Sequence, residues 1–380
     1  MHSAPRMHIA ILYNQDHELL EDDPGREARE DVTRVASALS EALTRGDVHA
    51  EPLAVEGSRL EFVDLLARMQ PDLVINLCES LAADSRGEMI IPCLLDMLGL
   101  PYTGSPALSL GLALHKDKAK ELLRARGVST PGFARVARLE DVDTVQLPFP
   151  LIVKPSREDA SVGITHDSVV HDRAALRRAV EAVLRTFHQP AIVEQFISGR
   201  EIYVPLLGNS PRRALPLTEI SFGKIFEDRP NIVTYAAKWE ASSADYQQTP
   251  SGLCQLEDPA LEARIVQTAM DAFTALECQD YGRVDLRVSP QGVPYVIDIN
   301  PNCDLHPEAG FAKAARAAGI DYPALATRLV EIALERTHGH QSPRRKGSGA
   351  ARFLDPANRN VLAGRNDGRG RARRSRASAE

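Results

Sequence analysis

The chain has 380 residues, 43% of them hydrophobic, enough for one large or two to three ordinary domains with real cores. Its net charge of −7 gives no global affinity for nucleic acid or membrane surfaces, and no apolar run approaches the roughly 20 residues of a membrane span. The charge is uneven: residues 341–380 hold eleven Lys/Arg against three Asp/Glu, a net of +8, which leaves about −15 on residues 1–340.

In chain order, residues 7–13 predict a strand, entered from a start that lacks a signal-peptide pattern. Residues 26–44 have helical spacing, with Val32, Val35, Ala36, Leu39 and Leu43 on one face. A short helix over 59–69, a buried strand over 72–77 and a helix over 88–98, stopped by Gly99 and Pro101, follow. This alternation implies a parallel sheet covered on both faces. No G-x-G-x-x-G follows the first strand, which argues against a dinucleotide site there. A charged helix over 116–126 ends at Gly127. A smaller unit then reads as strand 149–154, loop 156–163, helix 173–186 and strand 191–196. A larger unit continues with strand 201–207, a long polar stretch to about Asp258, helix 259–276, a hairpin, and a closing helix over 323–336. Beyond His340 the chain is rich in Arg, Gly, Ser and Ala and is expected to be disordered. Five cysteines (Cys78, Cys93, Cys254, Cys278, Cys303) show no paired metal spacing, so buried thiols in a cytoplasmic protein are expected.

The hairpin carries the chemistry. Residues 281–300 read Y-G-R-V-D-L-R-V-S-P-Q-G-V-P-Y-V-I-D-I-N, with S-P-Q-G as the turn. Asp285 stands on one strand, and Asp298 and Asn300 share a face of the next, because strand side chains alternate with period two. Hard oxygen ligands so placed suit Mg²⁺ together with nucleotide phosphates. Arg283 shares a face with Asp285 and puts a cation where negative charge develops. Lys116, Lys154 and Lys238 form a cationic set of the kind that triphosphate chemistry needs. Ser161, in the loop S-R-E-D-A-S-V-G, offers a hydroxyl beside backbone N–H groups that suit phosphate. Glu194 ends one strand and Glu201 starts the next, placing carboxylates near a segment whose backbone can meet an adenine edge. Each of these groups, taken alone, also reads as ordinary solvated surface.

In order and spacing, these pieces resemble the ATP-grasp superfamily, most closely its D-alanine–D-alanine ligase branch, over residues 76–329. The matching stretches are R-G-E at 86–88, L-P-Y-T-G-S at 100–105, H-K-D-K-A-K at 115–120 and V-K-P-S-R-E-D-A-S-V-G-I at 153–164. Further matches are V-E-Q-F-I-S-G-R-E-I at 193–202, L-P-L-T-E-I at 215–220, A-K-W at 237–239 and G-R-V-D…I-D-I-N from Gly282 to Asn300. The resemblance implies an α/β, three-domain ATP-grasp architecture. It comprises an N-terminal parallel α/β domain (1–115), a small central α+β subdomain (116–192), a C-terminal α+β subdomain with the metal site (193–338) and a disordered basic tail (339–380). It implies ATP and two Mg²⁺, with Mn²⁺ as an alternative, the metals held by Asp285, Asp298 and Asn300. Lys116, Lys154 and Lys238 would contact ATP, and Glu194, the backbone of Gln195 and Ile197, and Glu201 would take the adenosine. Arg283 would stabilise the tetrahedral intermediate, with Lys238 and Ser161 beside it. The implied reaction activates a carboxylate as an acyl phosphate and joins it to an amine. The implied partners are small carboxylates and amines, amino acids or short peptides, with a homodimer as the assembly and no membrane. Nucleic acid enters only through the basic tail.

The departures from that branch fall on the amino-acid side. Its metal pair is Asp and Glu, where Asp298 stands here. Its first loop serine is Ala160, the tyrosine partner of that serine falls at Trp239, and the N-terminal Glu of that set has no counterpart in Y-N-Q-D-H-E. The serine after the final Asn is missing from P-N-C-D-L-H-P-E-A-G-F. Asp304, His306 and Glu308 are candidates there for contact with an amine, and Cys303 reads as a packed thiol. The expectation is therefore a ligase of the same reaction class with an altered substrate. An authentic D-alanine–D-alanine ligase and an ATP-sensing module without ligase activity are the alternatives.

Overall fold

A computed structural model of the chain describes residues 7–15, 26–44, 48–57 and 60–339. The expected disordered tail and the Y-N-Q-D-H-E segment beyond Gln15 lie outside the described residues.

The first unit alternates β1 (Met7–Asn14), α1 (Arg26–Leu43), β2 (Val48–Val55), α2 (Glu61–Met69) and β3 (Leu73–Asn76), followed by α3 (Ile90–Leu98), α4 (Ala107–Leu114) and α5 (Lys116–Ala125). Its sheet runs β2-β1-β3, all parallel. Both faces are covered, as the run of buried residues Ile9–Leu12 requires: Ile9 and Ile11 pack with α1, Ala10 and Leu12 with α2 and α3. In this unit two elements escaped the sequence reading. Strand β2 carries His49, Glu51 and Pro52, which blur its alternation; Pro52 is tolerated because β2 is an edge strand. Helix α4 reads A-L-S-L-G-L-A-L, apolar nearly all round, so no stripe marks it.

The second sheet is antiparallel, in the order β4-β7-β5-β6, built from β4 (Phe133–Val136), β5 (Leu151–Pro155), β6 (Val169–Val170) and β7 (Ala191–Gln195), with α6 (Arg173–Phe187) between the last two. Leu151, Val153 and Val193 bury under α6, which leaves Lys154 and Glu194 on the opposite face.

The third sheet has six strands. They are β8 (Arg200–Leu207), β9 (Arg213–Ala214), β10 (Thr218–Ile220), β11 (Ser251–Leu253), β12 (Tyr281–Val288) and β13 (Pro294–Asn300), in the order β11-β10-β8-β12-β13 with β9 on β8. The expected polar stretch before Asp258 thus holds three short strands and the small helices α7 (Tyr235–Trp239) and α8 (Ala244–Gln247). Helix α9 (Pro259–Ala275), capped by Asp258, covers one face. Helices α10 (Gly310–Ala317) and α11 (Tyr322–Gly339) return to the first unit, where Phe311, Leu325 and Leu329 share a core with Val35 and Leu39. Among the described residues no helix is long and apolar enough to cross a membrane. The five thiols are free; Cys78, Cys278 and Cys303 are buried, but Cys93 is exposed and Cys254 half-buried, which corrects the expectation of five buried thiols. Cys93 faces out because it sits on the solvent side of α3, away from Ile91 and Leu95.

Candidate active site

The uncovered faces of the second and third sheets enclose a cleft of about 740 Å³. Period-two alternation fills it. On β12, Val284, Leu286 and Val288 bury under α9, so Arg283, Asp285 and Arg287 face the cleft; on β8, Ile202 and Val204 bury while Glu201 and Tyr203 face it. Strand β13 needs a further device. Val296 faces the α9 core, and unbroken alternation would send Asp298 and Asn300 the same way. The ladder slips between Asp285↔Asp298 and Leu286↔Val296, so Ile297 is an extra, bulged residue. Ile297, Asp298 and Asn300 consequently face the cleft, and Ile299 returns to the core. The Ile297 carbonyl accepts from Lys120 Nζ at 3.4 Å.

All twelve residues named from the sequence line this one cleft: Lys116, Lys154, Ser161, Glu194, Gln195, Ile197, Glu201, Lys238, Arg283, Asp285, Asp298 and Asn300. Asp285 pairs across the ladder with Asp298, and Asn300 Nδ2 lies 3.2 Å from Asp285 Oδ2. Two carboxylates and an amide side chain from neighbouring strands fit a hard divalent cation such as Mg²⁺, the amide turning its oxygen to the ion. Arg283 forks onto Asp285 at 2.6 and 2.8 Å and stacks over the Tyr203 ring at 4.5 Å. Burial pushes the Asp285 carboxyl up, against the pull of Arg283; burial also works against the Arg283 charge, but Asp285 outweighs it and keeps the guanidinium protonated.

The lysines divide the cleft. Lys116 Nζ reaches Asp159 Oδ1 at 2.6 Å and Asp298 Oδ1 at 3.5 Å. Lys154 and Lys120 grip the same oxygen of Glu194, at 3.2 and 3.3 Å, while the other oxygen, Glu194 Oε1, is buried with no partner among the described residues. An orphaned acceptor on a residue that lines the cleft suits a ligand N–H donor. Burial pushes Glu194 up, but Lys120 and Lys154 outweigh it and hold the carboxyl below its ordinary value. Glu201 is engaged by Arg287 at 2.7 Å and by the Tyr203 hydroxyl at 2.8 Å. Lys238, on α7, lies 5.4 Å from the Trp239 ring, and burial, then Arg283, push its ammonium down.

The loop after β5 holds Ala160 and Ser161 at φ of 55° and 62°, a left-handed pair that costs roughly 1 kcal/mol per residue. Trp239 Nε1 ties this loop down by donating to the Ala160 carbonyl at 2.9 Å. Gly163 closes it: φ is +77°, and a Cβ there would meet Phe187 and Pro155 within 2.8 Å.

Beyond Arg283, Lys238 and Asn300 the cleft continues into an inner compartment of about 120 Å³, walled by Trp239, Cys303 and several acids. Asp304 lines both spaces and Glu308 the outer one, where it is exposed and 3.5 Å from Arg316; His306 lines neither. Burial pushes the Cys303 thiol up to about 12, so it is an inert packed thiol. The sequence reading passed over Lys120, Asp159, Arg287 and Glu88. Lys120 had a signal, its i+4 spacing from Lys116 on one face of α5.

The D-ala D-ala ligase C-terminus family model matches residues 122–331, more than half of the chain. The chain belongs to the D-alanine–D-alanine ligase family. The uncharacterized protein y4sG of Sinorhizobium fredii (strain NBRC 101917 / NGR234) is 34% identical over 314 residues, 81% of this chain and 89% of that one. The D-alanine–D-alanine ligase of Desulforamulus reducens is 30% identical over 253 residues, 64% of this chain and 76% of that one. The crystal structure of the D-alanine–D-alanine ligase from Bacillus anthracis complexed with ATP shares the fold, with a TM-score of 0.68 over 88% of this chain and 100% of that one at 22% identity. The expected family, the α/β ATP-grasp fold and the enzyme class, an ATP-dependent ligase forming C–N bonds, are thereby borne out.

Proposed function

We propose that the chain joins a small carboxylate to an amine other than D-alanine, through an acyl phosphate made from ATP. The carrying observation is the convergence of lysines, acids and Arg283 from two facing sheets on one cleft that opens, at Arg283, into a second compartment. Asp285, Asp298 and Asn300 would hold two Mg²⁺ ions, or Mn²⁺ in their place, and such ions would supply the charge neutralisation that phosphoryl transfer needs. Lys116, Lys154 and Lys238 bind phosphates, with the Ser161 hydroxyl and the loop amides beside them. Glu194, through its unpartnered oxygen, the backbone of Gln195 and Ile197, and Glu201 receive the adenosine. Arg283, the cation beside Asp285, would meet the oxyanion of the tetrahedral intermediate. The assembly is a homodimer, which sedimentation tests directly.

The reaction is tested by incubating the full chain with Mg-ATP, a panel of amino acids and short peptides, and hydroxylamine. A hydroxamate together with ADP marks the acyl phosphate. Arg283→Ala should lower that turnover about 10²–10³-fold. Absence of hydroxamate with every acid, with ATP still bound, would leave a nucleotide sensor instead. Dipeptide formed from D-alanine alone would return the chain to the activity named for its Desulforamulus reducens relative.

A further inference from the structure

The first sheet carries, at its far end, a cluster that the ligase chemistry does not use. His8 and His49 stand opposite each other in the parallel ladder of β1 and β2, and Glu51 follows two positions on, opposite Ala10. Period-two alternation puts all three on one face, the face on which Ala10 and Val55 bury under α2 and α3. They lie at the strand starts. Asn14, at the other end of β1, accepts from the amide of Glu79, a lining residue of the inner compartment. At about 3.3 Å per residue, the cluster is roughly 20 Å along the strand from that end.

Ala10 offers only a methyl group beside Glu51, so the carboxylate leans across to β1. Glu51 Oε1 lies 2.7 Å from His8 Nε2 and 3.8 Å from His49 Nε2, and the two imidazoles stack at 5.1 Å between centroids. Ligand atoms of all three fall within 4.8 Å of one another, and no other three His, Cys, Asp or Glu side chains among the described residues meet so closely. The frame is fixed: the His8 amide donates to Asp72 Oδ2 and its carbonyl accepts from the Asp72 amide, both at 2.8 Å. Side-chain exposures of 27%, 51% and 41% for His8, His49 and Glu51 leave the cluster open to an entering ion and to a water in the fourth position.

We infer that His8, His49 and Glu51 bind a divalent transition ion, Zn²⁺ or its neighbours Ni²⁺ and Cu²⁺, in a site separate from the Mg²⁺ chemistry of the cleft. Imidazole nitrogen suits these ions, whereas Mg²⁺ and Ca²⁺ take oxygen, so the set of Asp285, Asp298 and Asn300 has the opposite preference. In a tetrahedral zinc site with bonds of about 2.0–2.2 Å, neighbouring ligand atoms stand roughly 3.3–3.5 Å apart. The 2.7 Å hydrogen bond therefore opens and the 3.8 Å gap closes, each by less than about 1 Å, as the ion replaces the proton shared by His8 and Glu51. Because the ligands come from two strands, the ion clips the edge strand β2 to β1 and stabilises the folded first unit.

The full chain, stripped of metal with EDTA and desalted, is titrated with ZnCl₂ by calorimetry in excess Mg²⁺ and a non-hydrolysable ATP analogue, which occupy the cleft. One Zn²⁺ per chain should bind, and the melting temperature should rise with Zn²⁺ concentration. His49→Ala, on the exposed edge strand, and Glu51→Ala should each weaken Zn²⁺ by about tenfold or more and remove the thermal shift. Unchanged affinity for the analogue shows that these variants are folded. Cys93→Ser, which removes the exposed thiol, should leave Zn²⁺ binding as it is. No heat with Zn²⁺, wild-type Zn²⁺ affinity in either alanine variant, loss of binding on Cys93→Ser, or displacement of Zn²⁺ by further Mg²⁺ would overturn the inference.

Discussion

Two ammonium groups share the single carboxylate of Glu194, and all three are buried. Removing the acid leaves two desolvated cations with no counter-charge. Glu194→Gln should therefore destabilise the fold by about 3–5 kcal/mol at neutral pH, read by urea unfolding. The sign with pH follows from the depressed carboxyl. A folded-state value below the ordinary 4.5 contributes stability that is present above 4.5 and lost as pH falls through the folded value. The gap between wild type and Glu194→Gln should narrow on acidification; a gap that stays constant down to pH 3 would refute the account. At this scale the sequence was informative about which residues meet, since the twelve named positions line one cleft. It was silent on what they touch at rest. That Glu194 is clamped by Lys120, or that Asp159 reaches Lys116, depends on contacts 74 and 43 positions apart, which no local pattern encodes.

Strand β13 shows what an element adds to its residues. Reading Asp298 and Asn300 as one face was sound, but which face they took was decided by the Ile297 bulge. Deleting Ile297 should restore unbroken alternation and turn both ligands toward the α9 core. The expected outcome is loss of Mg²⁺-dependent nucleotide binding, measured by calorimetry, with destabilisation of at least about 3–5 kcal/mol from burying an unpaired carboxylate. Retained Mg²⁺ dependence in a folded deletion variant would refute the phase argument. The link between β7 and β8 is equally constrained. Gly199 has φ of +125°, and a Cβ there would lie 2.1 Å from the Val288 carbonyl oxygen. Gly199→Ala should weaken ATP binding as well as stability, because it displaces the strand that carries Glu201 from the one that carries Glu194. The bulge had no sequence signature, and α4 and β2 were missed because one is uniformly apolar and the other is broken by proline.

The first unit and the third sheet meet at a polar joint that the sequence could not announce. Asp280, fully buried, accepts from Gly104 N at 2.9 Å, Asn209 Nδ2 at 2.8 Å and Arg336 Nη2 at 3.0 Å, tying the first unit and the last helix to the third sheet. Arg336→Ala should cost about 3–5 kcal/mol and loosen the first unit from the rest, visible as limited proteolysis near Gly104. The order of motifs along the chain revealed the overall architecture, because each fragment is local; the joint brings Gly104 and Arg336, 232 positions apart, onto one carboxylate and was not readable. One contact reaches across the whole assembly. In the resting site the Asp159 carboxylate stands where an ATP phosphate is expected, on Lys116. An arriving nucleotide must evict this placeholder, so its binding begins by breaking an ion pair. Asp159→Asn should tighten Mg-ATP several-fold, measured by calorimetry; unchanged or weaker binding would refute the placeholder.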